Sequence, residues 1–175
     1  YLKIKISKTM SVSEEIPKLY KHAETLIKKN SAYICFCNRD KMQNLRHQGK
    51  SCPCSSTKPE KNLKEWTSML AGKYQPGQAI LRFKGDMQSK NQVMRDPALF
   101  RIINQRHYKQ KDKYKVWPLY DFYTPILDSI LGITHILRTA EFDLRVELHQ
   151  KIQDLLGLKK QEIVQYGRIS VIGPG

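Results

Sequence analysis

Residues 113–142 read Lys113-Tyr-Lys-Val-Trp-Pro118-Leu-Tyr120-Asp-Phe-Tyr-Thr-Pro125-Ile-Leu-Asp-Ser-Ile-Leu-Gly132-Ile-Thr-His-Ile-Leu-Arg138-Thr-Ala-Glu-Phe142. Their grammar decides the fold class. Tyr114–Pro118 is extended and stops at a proline, which cannot donate to a strand ladder. Ile126, Leu127, Ile130 and Leu131 then recur at helical spacing and are closed by Gly132. Ile133–Arg138 reads as a strand, followed by a helix from Glu141 to Leu156 with Leu144, Leu148, Ile152, Leu155 and Leu156 apolar and Gly157 as its stop. Ile163-Val164 and Ile169–Val171 are short extended pieces. Strands alternating with helices predict an α/β domain with βαβ units and a parallel sheet.

Upstream of residue 113 the grammar differs. Ser11-x-x-Glu14 offers a capping box for a helix carrying Ile16, Leu19, Tyr20, Ala23, Leu26 and Ile27, with Pro17 in its first turn and Asn30 as a left-handed stop. Ala32–Ile34 reads as a strand, and residues 38–51 as a polar loop. Thr57-Lys-Pro-Glu60 is a second capping box, opening a helix with Leu63, Trp66 and Leu70 that ends at Gly72. Ala79–Phe83 and Leu99–Ile103 are strands, separated by a loop that holds Asp86-Met87 and Arg95-Asp96-Pro97.

The 175 residues, 40% apolar and 9% aromatic, suffice for a real core and exclude a disordered chain. No apolar run approaches the roughly 18 residues of a membrane span, and Tyr1–Ile6 alternates like a strand instead of forming a secretory h-region. The expected location is the cytoplasm. The net charge of +15 is unevenly placed: 23 Lys/Arg against 9 Asp/Glu over residues 1–112, but 8 against 7 over residues 113–175. Such a step favours a lysine-rich module for a polyanion, nucleic acid first, over an evenly charged solvated surface.

All four cysteines fall in two close pairs, Cys35-x-Cys37 and Cys52-x-Cys54, separated by 14 residues. Four thiolates so paired suit a tetrahedral structural zinc, and Arg39, Lys41, Arg46 and Lys50 between them would balance its charge. Free thiols or two disulfides are the alternatives, the latter needing an oxidising compartment. His47 is the nearby substitute ligand.

The 113–142 string closely resembles the class I glutamyl-/glutaminyl-tRNA synthetase family in its archaeal and eukaryotic branch. Glu60-Lys-Asn-Leu…Trp66, Leu81-Arg-Phe-Lys-Gly-Asp-Met87 and Arg95-Asp-Pro97 resemble the same family in the same order, and the cysteine pairs resemble the zinc knuckle of many glutamyl enzymes. The resemblance implies ATP-dependent activation of L-glutamate, with Mg2+, and its transfer to the 3′ end of tRNA-Glu, either alone or with tRNA-Gln as a second acceptor. It implies three segments: residues 1–32 closing a first catalytic half, 33–112 a basic acceptor-stem-binding insert of α+β type with the zinc knuckle, and 113–175 the second half of a Rossmann-type catalytic domain. The family's His-Ile-Gly-His and Lys-Met-Ser-Lys-type signatures do not occur in this chain. It is therefore expected to be an internal segment of a longer enzyme, without catalytic residues of its own and not a competent ligase alone.

By the family pattern Tyr120 and Arg138 bind the glutamate, Thr139, Arg168 and Ile169 contact ATP, and Cys35, Cys37, Cys52 and Cys54 hold zinc. A guanidinium fork suits a carboxylate and rejects an amide, so Arg138 argues for glutamate over the glutaminyl alternative, as does Ile163 where glutaminyl enzymes tend to carry Gln. Arg138 falls at the C-terminal end of an expected parallel strand, where ligands bind in open α/β sheets, with Tyr120 expected from the neighbouring strand end. The competing role for Arg138 is a surface pair with Glu141. A non-catalytic zinc-containing RNA-binding module is the reading from another functional class; it gives no use to the Tyr120 and Arg138 pair.

Overall fold

In the computed structural model, residue 5 and residues 9–167 are described. Most of the extended start expected over residues 1–6, and all of Ile169–Val171, lie outside them. The architecture is mixed α/β. Helix α1 (Ile16–Lys28) buries Ile16, Leu19, Ala23, Leu26 and Ile27 completely, the stripe that its periodicity dictates. It ends as its sequence requires: Asn30 takes φ 55°, donating its N–H to the Ile27 carbonyl, while Ser31 donates to that of Leu26.

Strands β1 (Ala32–Cys35), β2 (Ile80–Phe83), β3 (Ala98–Ile102) and β4 (Val116–Pro118) form one sheet in the order β1-β2-β3-β4. Every pairing in it is antiparallel, with Ile34 opposite Leu81, Leu81 opposite Phe100 and Ile102 opposite Val116. The expectation of a parallel sheet from residue 113 onward fails for β4, which pairs antiparallel with β3. The stretches joining β2 to β3 and β3 to β4 contain no α-helix, so the chain turns back on itself instead of crossing over. It holds for β5 (His135–Thr139) and β6 (Glu162–Tyr166), which pair in parallel across α5 (Asp143–Leu156), the helical crossover that a βαβ unit needs.

One core joins these parts. Phe100 on β3 is its hub, with ring centroids 5.2 Å from Trp66 of α3 (Pro59–Leu70) and 4.8 Å from Phe122 of α4 (Tyr120–Ile130), while Tyr20 of α1 stands 5.6 Å edge-on to Trp66. The Tyr20 hydroxyl donates to the Val116 carbonyl at 2.7 Å, tying α1 to β4. Leu148 and Ile152 bring α5 into the same cluster. That cluster includes residues from 19 to 152, so α4, α5 and the antiparallel sheet share their packing.

Three local expectations are corrected. The polar stretch 38–51 contains a helix, α2 (Arg39–His47), capped by Asn38, whose side-chain oxygen accepts the Lys41 N–H at 2.9 Å. Only Met42 and Leu45 supply an apolar face, too little to show as a periodic stripe. Neither capping box forms. Residues Val12–Glu14 make a 3-10 turn before α1, and Lys58, not Thr57, occupies the cap position of α3. Asn62 supplies polar contacts there instead: buried, it donates to the Thr57 carbonyl and accepts the Ile34 N–H, fastening α3 to β1.

Candidate functional site

Arg138 is the only buried residue of β5, at 8% exposure, and lies one position from the strand's C-terminal end. It pairs with Asp128 and His149 rather than lying on the surface. Its Nη1 is 3.1 Å from Nδ1 of His149 on α5, and its Nη2 is 3.6 Å from a carboxylate oxygen of Asp128 on α4. His149, 3% exposed, places its Nε2 3.1 Å from Oδ1 of Asp121 in the first turn of α4. The other oxygen of Asp121 accepts from Arg145, one helical turn before His149 on α5. Five charged or polar side chains from α4, β5 and α5 thus form one continuous chain.

Tyr120 borders that chain. It opens α4 after β4, and its ring lies 5.8 Å from those of His149 and Phe142, with the Arg145 guanidinium 5.6 Å from its centroid. Tyr120 and Arg138 therefore share His149 as a neighbour. The route differs from the expected one. Tyr120 follows a strand of the antiparallel sheet, whereas Arg138 sits in the separate parallel pair, and α4 and α5 join them. Thr139 ends β5 opposite Tyr166. Ile163 lies opposite Ile136 on β6. Arg168 and Ile169 fall outside the described residues.

Sequence reasoning missed Asp121, Asp128, Arg145 and His149. A signal was present: Arg145 and His149 stand four apart on one helix face and converge on one carboxylate. Burial opposes the charge on Asp121, but hydrogen bonds from His149 and Arg145 win and hold its carboxyl below the usual carboxylate range. Burial dominates at Asp128, raising its carboxyl despite the nearby Arg138.

The second cluster is sulfur. The Sγ atoms of Cys35, Cys37, Cys52 and Cys54 all lie within 4.8 Å of one another, with Cys35–Cys52 and Cys37–Cys54 at 3.9 Å. All four cysteines are free in the structure, and at 3.9 Å these sulfurs lie beyond a disulfide bond of about 2.05 Å. The separations fit the roughly 3.8 Å edge of a tetrahedron with metal–sulfur bonds of about 2.3 Å. The Cys52 thiol is held below its ordinary value, chiefly by a hydrogen bond with Cys35, whose own thiol is pushed up by that bond and by burial.

Beside the sulfurs a cavity of about 600 Å3 is lined by Arg39, Arg46, Arg82, Arg95 and His47 among others. Arg46 and Arg82 both donate to the Asp96 carbonyl, at 2.8 and 3.2 Å. The buried Asp96 carboxylate accepts the Tyr33 hydroxyl at 2.7 Å and the Gly85 N–H at 2.8 Å. Gly85 cannot be replaced without a shift, since a Cβ would meet the Met94 carbonyl oxygen at 1.9 Å.

A family model for the class I tRNA synthetases (E and Q), catalytic domain, matches residues 1–173. The chain belongs to this family. It is 42% identical over 173 residues to the glutamate–tRNA ligase of Nitrosopumilus maritimus (strain SCM1), covering 99% of this chain and 30% of that protein. It is 38% identical over 174 residues to the glutamate–tRNA ligase of Thermococcus onnurineus (strain NA1), again covering 99% and 30%. The fold resembles the crystal structure of a glutamate tRNA ligase from Elizabethkingia meningosepticum CCUG26117 in complex with its amino acid, with a TM-score of 0.58, 18% identity and coverage of 99% of this chain and 37% of that one. The chain thus spans about 30% of the length of the curated relatives it matches.

Within this synthetase domain the Asp121 network generates a stability prediction. The folded carboxyl lies below its ordinary value of 3.8, so its contribution is complete above that value and disappears as pH falls through the folded one. Asp121→Asn should cost about 1–2 kcal/mol near neutral pH, discounted for the partial exposure of Arg145. Denaturant unfolding across pH should show the gap between wild type and variant closing below the ordinary carboxylate range.

Proposed function

We propose that this chain is part of a glutamate–tRNA ligase that joins glutamate to ATP as glutamyl-adenylate and passes the glutamyl group to the 3′ end of tRNA-Glu. The observation that carries the reading is the buried guanidinium of Arg138 near the C-terminal end of a parallel strand, with His149 as the neighbour it shares with Tyr120. A permanently charged fork in a partly dry site favours a carboxylate and penalises a neutral amide. Arg138 would bind the side-chain carboxylate, with Tyr120 donating a neutral hydrogen bond to the same amino acid. Thr139, Arg168 and Ile169 would border ATP, whose Mg2+ neutralises phosphate charge during adenylate formation. No described helix is long and apolar enough to cross a membrane.

In the same reading, residues 33–112 are the acceptor-stem-binding insert, residues 1–32 close the first catalytic half and residues 113–175 form the second. The excess of Lys and Arg over residues 1–112 supports RNA contact through phosphates, and the arginine-lined cavity adds a concentrated positive face. Cys35, Cys37, Cys52 and Cys54 would hold a structural zinc, whose chemistry is to staple β1 to the segment before α3. Metal analysis of protein purified without chelator should find about one zinc per chain; a content well below one would remove zinc from the account.

The decisive test is Arg138→Ala in the full-length protein, followed by amino-acid-dependent ATP–pyrophosphate exchange with tRNA present. Breaking a buried charge pair costs about 3–5 kcal/mol, so kcat/KM for glutamate should fall at least about 100-fold, with the bias against glutamine relaxed. Arg138→Lys should recover only part of it. A change within about threefold would make Arg138 a structural ion-pair residue.

A further inference from the structure

We propose that His149 is the positioning residue that fixes the Arg138 fork for the substrate's side-chain carboxylate. This rests on the reading of Arg138 as the glutamate-recognising group. A guanidinium carries only donors and does not lose its proton in proteins. At 3.1 Å from Arg138 Nη1, the Nδ1 of His149 must therefore be the acceptor. The ring proton then lies on Nε2, from which it is donated to Asp121 Oδ1 at 3.1 Å. One neutral tautomer satisfies both bonds, and Arg145 on the other oxygen of Asp121 holds that carboxylate in place.

The geometry leaves the two ends of the fork unequal. Nη1 spends one of its two N–H groups on His149. Nη2 faces Asp128 at 3.6 Å, a separation that balances charge but exceeds hydrogen-bond length. The end of the fork on the Asp128 side is thus the one with capacity for an incoming carboxylate. Because His149 is itself buried and anchored to α4 through Asp121, it sets the orientation of the guanidinium independently of β5. The same ring packs 5.8 Å from that of Tyr120, so one side chain positions both glutamate-binding groups.

The test uses the full-length protein and four variants: Arg138→Ala, His149→Ala, His149→Leu and His149→Gln. Leu fills the space without an acceptor, which keeps the test open if Ala fails to fold. Gln can accept from Arg138 with its oxygen and donate to Asp121 with its amide. We expect His149→Ala and His149→Leu to raise KM for glutamate about tenfold or more while kcat and KM for ATP stay within about threefold. The preference for glutamate over glutamine should narrow, and His149→Gln should restore both quantities to within about threefold of wild type. If His149→Leu matches wild type while Arg138→Ala is severely impaired, the positioning role is wrong and the glutamate reading stands. A His149→Gln enzyme as impaired as His149→Leu would likewise overturn it, since packing alone would then explain the loss. If Arg138→Ala itself has no effect, the underlying reading fails.

Discussion

A guanidinium cannot discard its charge when it is buried, so whatever surrounds Arg138 has to balance it. That constraint organises the C-terminal part of the molecule. Asp128 from α4 supplies the counter-charge, His149 from α5 supplies the acceptor, and Asp121 with Arg145 holds His149 in the tautomer that can accept. Three successive elements of the chain are thereby held in one arrangement. The apolar core beneath them, through Phe122, Leu148 and Ile152, provides the rigidity that such a network needs.

The basic part is built on the same logic with different partners. Asp96 is buried, and its carboxylate and carbonyl together gather Tyr33, Gly85, Arg46 and Arg82. Tyr33 also reaches the Cys52 sulfur at 3.3 Å, so the carboxylate knot and the four sulfurs form one polar centre on β1. Arginines whose backbone bonds fix them there present their remaining charge to the neighbouring cavity. A sheet that is antiparallel throughout carries this centre, and its last strand leads directly into α4 and Tyr120. The packing of Tyr20, Trp66, Phe100 and Phe122 makes that connection mechanically stiff.

Much of this was legible in the residues alone. The stripe of α1, Leu148 and Ile152 of α5 (though not Leu144, which is exposed), the strands around Ile34, Leu81, Phe100 and Ile136, and the left-handed Asn30 follow from periodicity and from backbone preferences. The sulfur cluster was legible because all the cysteines fall in two close pairs. Sheet direction was not: β1 and β2 pair antiparallel although α2 and α3 lie between them, so the order of strands and helices alone does not set it. Helix α2 escaped because Asn38 capping and two apolar residues stabilise it, not an amphipathic stripe. The support of Arg138 escaped for a different reason. His149 and Asp121 are ordinary helical residues until tertiary packing removes them from water, and only then does each need a specified partner.

The central claim is that the Arg138 fork, oriented by His149, reads the substrate's side-chain carboxylate. The most direct measurement is a crystal structure of the full-length protein with a non-hydrolysable glutamyl-adenylate analogue. The account predicts the side-chain carboxylate within about 3 Å of Arg138 Nη2, with Nη1 still bonded to His149. A complex in which that carboxylate is held by other groups, while Arg138 stays turned to Asp128, would contradict it.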